Sequence, residues 1–254
     1  MNVFDAIENK HIHASDAQLS VPGIALAQLG AVLDLTNLGY NFEVNKPYAV
    51  LGHSQGVIAA RMVEARIKSG SWQKARAQIE ELLACAYIIG AAGDRESRML
   101  EISGDGDLTP MLSLKGVTEK QAKALIARVE RTKGAISIAV KNSRNHVVLS
   151  GYPEDMESVV NEAQKEAKRS KKLREMKVRG GAVFSPVAEY LDVTVPFHSQ
   201  MMEAAVLQAE NWAMEAGLNV EIVRSLADEV LVKAVDWSEI VKNVLENTET
   251  RTLW

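Results

Sequence analysis

Ala49-Val50-Leu51-Gly52-His53-Ser54-Gln55-Gly56-Val57-Ile58-Ala59-Ala60 carries an apolar stretch through G-x-S-x-G and directly into a second apolar stretch. In that setting the pentapeptide reads as a nucleophile elbow. A buried strand ends at Leu51, the glycines permit a sharp turn, and a helix starts at the serine. The free N–H groups and positive end of that helix would then face an oxyanion formed on a group attached to Ser54. Gln55, next in the chain, would supply the first of these N–H groups.

A catalytic serine needs a base, and five histidines are available: His11, His13, His53, His146 and His198. His198 lies in Val193-Thr194-Val195-Pro196-Phe197-His198-Ser199, at the end of an alternating strand. Behind it Met201, Met202, Ala205, Ala209, Trp212, Ala213 and Ala216 form one helical stripe, with Ser199 as its cap and Gly217 as its stop. A histidine on such a corner, far along the chain from an elbow serine, suits a general base. His11 and His13 form an H-x-H pair with no partners in a metal-ligand pattern and read as solvated loop residues, so no metal is expected.

The rest of the chain sets these segments in an α/β frame. A helix is expected over Val21–Leu38, capped by Ser20 and ended by Gly39, and a strand over Tyr48–Leu51. A further helix, with Trp72 at its start, brings Ile79, Leu82, Leu83, Ala86 and Gly90 toward the core. Short buried strands alternating with helices imply a parallel sheet. Ser103–Asp107 reads as a flexible turn. Beyond it come a strand at Met111–Leu114, a helix from Thr118 with Gln121 completing a capping box, and strands at Ile136–Val140 and His146–Leu149 around a turn at Asn142–Asn145. A helix from Pro153 and a strand near Met176–Val178 follow, giving βαββαβ, the ferredoxin-like order. The fold class is therefore α/β: a hydrolase-like parallel-sheet core (residues 1–107 and 191–254) with an inserted ferredoxin-like subdomain (residues 108–190).

Composition bounds the function. The chain has 254 residues, 47% hydrophobic and 24% charged, enough for one large domain or a domain plus a subdomain. A net charge of −4 argues against a general nucleic-acid binder. No stretch reads as long and apolar enough to cross a bilayer, so no membrane partner is expected. The N-terminus, with Asp5 and Glu8, lacks the apolar region of a secretory signal, and Cys85 alone cannot form an internal disulfide. A reducing cytoplasm is the expected location.

GHSQG and PFHS together resemble the acyl-CoA:acyl-carrier-protein transacylases, the fold shared by malonyl transferases and by the acyltransferase domains of fatty acid and polyketide synthases. The resemblance runs from about Val21 to about Val244. Gln55 in the elbow, Pro110-Met111-Leu112-Ser113-Leu114-Lys115-Gly116 and Lys141–Gly151 look most like the acetyltransferase domain of bacterial type I fatty acid synthase. The resemblance implies acyl transfer through an acyl-serine on Ser54 with His198 as base. No cofactor would be bound; acetyl-CoA and the phosphopantetheine of an acyl carrier protein would be the substrates. It also implies a pocket-lining role for His53, which a histidine packing the turn would equally explain. Asn142 is a candidate for the pocket rim or a simple turn residue.

Two departures from the family pattern matter. Malonyl-selective relatives carry an arginine, in an Arg-Gly pair, that grips the malonyl carboxylate; the matching segment Ala86-Tyr87-Ile88-Ile89-Gly90 has Ile89 there. Isoleucine cannot pair a carboxylate but can line a pocket for an acetyl group, and Arg95 and Arg98 lie one to two turns further on. The family's opening Gly-Gln-Gly turn and closing Gly-Pro-Gly turn are also missing, so the chain reads as an internal piece of a longer synthase. The basic run that includes Lys171, Lys172 and Arg174 suits docking of an acidic carrier protein, or is a solvated helix end. Other readings are a malonyl or palmitoyl transferase of the same fold, a serine thioesterase (with Asp192 in principle its acid), or an inactive scaffold fragment.

Overall fold

Alternation in Met111–Lys115, Ser137–Ser143 and His146–Ser150 puts every second side chain into one layer, and these segments pair as antiparallel strands β1, β2 and β3. The computed structural model describes residues 16–102, 108–129, 135–176 and 184–246. His11, His13, Ser103–Asp107, Lys177 and Arg179 lie outside them. By its internal contacts the chain divides into two units. One, the elbow unit, comprises Met1–Glu96, Glu203–Leu231 and Val241–Trp254; the other, the sheet unit, comprises Ser97–Met202 and Val232–Ile240.

In the sheet unit, helix α4 (Glu119–Val129) joins β1 to β2, and helix α5 (Pro153–Glu175) joins β3 to β4 (Val187–Tyr190). The strand order is β4-β1-β3-β2-β5, where β5 is the two-residue strand Val235–Asp236. The first four strands form the expected ferredoxin-like sheet; β5 adds parallel to β2, the one parallel pair among the described strands. Leu112 faces Leu149 and Leu114 faces Val147. With Val117, Leu125, Met156 and Val159 they form a sealed apolar core between the sheet and its two helices. The capping box forms as expected: the Gln121 N–H donates to Thr118 Oγ1 and the Thr118 N–H to Gln121 Oε1.

Three expectations are corrected here. Met176 caps the end of α5 rather than opening a strand, and the closing strand is Val187–Tyr190 instead. Residues 177 and 178 of the expected strand lie outside the described residues. Strand β2 runs on through Asn142 to Ser143, so the turn is confined to Arg144 and Asn145. The segment 191–202, which carries His198, groups with the sheet rather than with the elbow.

The elbow unit is built of helices: α1 (Ala17–Asn37), α2 (Gly56–Ser69), α3 (Trp72–Met99, to Glu96 in this unit), α6 (Glu203–Glu215) and α7 (Val220–Ala227). Helix α1 begins a turn before Ser20, because its cap comes from another helix. The Asp94 carboxylate on α3 accepts from the Ala17 N–H at 3.0 Å and the Gln18 N–H at 2.8 Å. One turn before Asp94, a Cβ on Gly90 would sit 2.1 Å from the Ala17 carbonyl oxygen, so only glycine lets the helix end approach. The guanidinium of Arg66 lies over both Phe42 and Trp72, 5.6 and 5.8 Å from the ring centres, and ties the loop before the elbow to α2. Arg95 donates to Gln208 and stacks over Trp212, joining α3 to α6.

Helix α1 overturns the expectation that no apolar stretch is of membrane-crossing length. It is 21 residues long, and an 18-residue stretch within it has a mean hydropathy of 1.5, enough by length and composition alone. Ala17, Val21, Ala25 and Leu29 form its one buried edge, while Ile24, Leu26, Leu33 and Leu35 are exposed. Among the described residues, none pairs in a sheet with the expected strand Tyr48–Leu51, and Leu51 is exposed.

Candidate active site

Gly52 and the start of α2 shape the elbow. A Cβ on Gly52 would fall 2.2 Å from the backbone of Gly56 and Val57, so no other residue fits. Gly56 is different: its Cβ would meet only the Gln28 carboxamide, at an ordinary 3.4 Å. Between them Ser54 takes φ = +55°, the left-handed region that costs a side-chain-bearing residue about 1–2 kcal/mol. The turn closes through i→i+3 bonds, with the N–H groups of Gly56, Val57 and Ile58 donating to the carbonyls of His53, Ser54 and Gln55. No described residue accepts from the Gln55 N–H, which leaves a donor at the positive end of α2 next to Ser54. Gln55 is buried, and its side-chain oxygen has no hydrogen-bond partner. His53 is exposed.

Ile89 is fully buried in the same unit, on the α3 face that carries Leu82, Cys85 and Ala86. Burial pushes the Cys85 thiol up to about 11, with Glu81 adding to the effect, so this cysteine is no nucleophile at neutral pH.

His198 belongs to the sheet unit and is 1% exposed. It too is left-handed, at φ = +58°; Ser54, Glu101 and His198 are the described non-glycine residues with positive φ. Its Nδ1 lies 2.7 Å from the Lys233 carbonyl oxygen. A carbonyl only accepts, so Nδ1 carries the proton and Nε2 is left as the basic nitrogen of the neutral ring. The next residue, Ser199, is buried beside β2 with its hydroxyl 3.4 Å from that of Ser137. No side-chain pattern marks Lys233 for its role toward His198, because a backbone oxygen does the work.

Asn142 is half-buried and sits where β2 slips register between Lys141 and Ser143, a bulge that redirects the strand. Beside it Lys141 reaches Asp236 on β5 at 2.6 Å. The exposed Lys171, Lys172 and Arg174 line the end of α5. Asp192 lies in the sheet unit, in the loop before His198.

The fold and these positions place the chain among known proteins. It superimposes on the malonyl CoA-acyl carrier protein transacylase of Coxiella burnetii with a TM-score of 0.60 and 19% identity, covering 92% of this chain and 67% of that one. The acyl-carrier-protein-S-malonyltransferase of Bartonella henselae gives 0.59 and 20%, with 92% and 68% covered. The acyltransferase domain of an iterative enediyne polyketide synthase gives 0.57 and 21%, with 92% and 54% covered. The chain therefore has the mixed α/β fold of the acyl-carrier-protein transacylases, spanning about two thirds of their length. Residues 110–190 match the family described as the fatty acid synthase central AT domain. The family match agrees with the acyl-CoA:acyl-carrier-protein transacylases that GHSQG and PFHS resemble, and the structural likeness agrees with their fold. A search of the curated proteins finds no match.

Proposed function

We propose that the chain serves an acyltransferase of fatty acid synthesis, one that passes an acetyl group from CoA to the phosphopantetheine thiol of an acyl carrier protein. The observation that carries this reading is Ser54, held in a left-handed conformation at the mouth of α2 beside an open N–H. Strain of this kind persists where a reactive group is being presented.

In this reading Ser54 Oγ attacks the thioester carbonyl while its proton passes to His198 Nε2. The Gln55 N–H donates to the resulting oxyanion. The C–S bond breaks, and CoA leaves with the proton from His198. The carrier's thiol then gives its proton to His198, attacks the acetyl-serine carbonyl, and releases Ser54, which recovers the proton.

Ile89 supports acetyl over malonyl, because a fully buried isoleucine offers nothing to a carboxylate. Arg95 is already engaged by Gln208 and Trp212. The malonyl transacylases that share the fold favour the rival reading, malonyl. Incubation with labelled acetyl-CoA and malonyl-CoA, followed by mass spectrometry, separates the two. Acetyl on Ser54 with little malonyl is expected; malonyl on Ser54 would overturn the specificity and keep the mechanism. Labelling that persists in Ser54→Ala would end the proposal. Carrier-protein docking at Lys171, Lys172 and Arg174 is part of the same reading. Charge reversal at Lys171 and Lys172 should slow transfer to the carrier and spare acetyl-CoA hydrolysis.

A further inference from the structure

The Lys233 carbonyl that fixes the His198 tautomer sits on a weakly held piece of chain. It follows a single π-turn (Asp228–Val232) and precedes β5, which has only two residues. A two-residue ladder, Val140 beside Val235 and Lys141 beside Asp236, is all the regular structure that holds this piece to the sheet. Such a ladder alone is marginal.

The same two residues that pair through the ladder also pair through their side chains. Lys141 Nζ lies 2.6 Å from Asp236 Oδ2. The other carboxylate oxygen, Oδ1, accepts from the Ser238 hydroxyl at 2.7 Å and the Glu239 N–H at 3.0 Å, capping helix α8 (Trp237–Glu246). Both oxygens of Asp236 are thus committed, one to the sheet and one to the helix that follows. Lys141 is steadied in turn by Glu119 at 3.4 Å, whose second oxygen is held by Lys123. These charges alternate along the wall of a cavity of about 520 Å³ that Ile126, Ile138 and Val235 also line. Register slips in β2 on either side of Val140 and Lys141 bend the strand at the place where β5 joins.

We propose that Lys141 is a positioning residue for His198: by clamping Asp236 it holds β5 on β2, and so keeps the Lys233 carbonyl where it receives the Nδ1 proton. The role rests on the reading of His198 as the base.

The test compares Lys141→Met, Lys141→Arg and Asp236→Asn in the full chain, with Lys115→Met as a control that breaks an exposed pair to Glu189 in the same sheet. Imidazole nitrogen shifts of ¹⁵N-histidine-labelled protein, assigned with His198→Gln, report the tautomer directly. A single Nδ1–H form is expected in the unsubstituted protein, in Lys141→Arg and in Lys115→Met. A mixture with the Nε2–H form is expected in Lys141→Met and in Asp236→Asn, which keeps its capping oxygen. Acetyl capture on Ser54 should slow about tenfold in the last two variants and recover in Lys141→Arg. An unchanged tautomer in both Lys141→Met and Asp236→Asn overturns the clamp; should Lys141→Met not fold, Asp236→Asn decides. If the unsubstituted protein captures no acetyl group, the proposed function fails while the tautomer still decides the clamp.

Discussion

The sheet unit and the elbow unit are held together in different ways. In the sheet unit, strands pair on both sides through β1, β3 and β2, and the apolar side chains close over one another under α4 and α5. Its stability is spread over many equivalent contacts. The elbow unit depends on a few specific fixtures: the Asp94 carboxylate on the end of α1, the bare Gly90 beneath it, Arg66 over two rings, and Gly52 in the turn. It leaves much of an apolar helix uncovered and puts backbone strain at Ser54. The elbow unit carries its order at points, and the sheet unit carries it throughout.

Truncating leucines on each side is the strongest way to break this contrast. Leu149→Ala in the sealed core should cost about 3 kcal/mol in denaturant unfolding. Leu35→Ala, on the exposed face of α1, should cost less than about 0.5 kcal/mol. Equal losses would mean that α1 is covered in solution. A glycine pair tests the point-like order next. Gly90→Ala should destabilise by about 2 kcal/mol through collision with Ala17, with lost hydrogen-exchange protection at the start of α1. Gly56→Ala, which has room, should change stability by less than about 0.5 kcal/mol.

A smaller effect of opposite sign is expected at the strained position. Ser54→Gly relieves the left-handed backbone and should raise stability by up to about 1 kcal/mol while abolishing acetyl capture, a combination read by paired melting and labelling measurements. The smallest effect concerns pH. Burial pushes the Asp236 carboxyl up, but hydrogen bonds from Lys141, Ser238 and the Glu239 N–H outweigh it and leave it below the ordinary carboxylate range. The bond to Asp236 raises Lys141 above its own, against burial. The contribution of Asp236 is therefore complete above about pH 4 and lost as pH falls through its lowered value; that of Lys141 is complete below about pH 10 and lost above its raised value. Protection of the β5 amides, corrected for intrinsic exchange, should be flat from about pH 5 to about pH 9.

Much of this was legible in the sequence, unevenly. The sheet unit was readable because alternation, capping residues and turn signals are local. Thr118 with Gln121, and β1 to β3, needed no tertiary knowledge to place. Its closing strand was missed because α5 continues through a charged stretch that resembles a helix end. In the elbow unit GHSQG located the turn, the serine and the start of α2. The start of α1 was misjudged because its cap, Asp94, is far away along the chain on another helix. The support for His198 was hidden for the same reason: Lys233 acts through its carbonyl, and Lys141 meets Asp236 only because a two-residue strand happens to lie beside it.

The course of the chain between the units has a practical consequence. It passes from one to the other after Glu96, Met202, Leu231 and Ile240, so the sheet unit is made of two separate lengths. An acyltransferase hybrid assembled by exchanging residues 110–190 alone would leave behind both the histidine and the short length Val232–Ile240 that supplies its carbonyl. The transferable piece is discontinuous, and a graft that respects it needs two splices for the long length and two more for the short one.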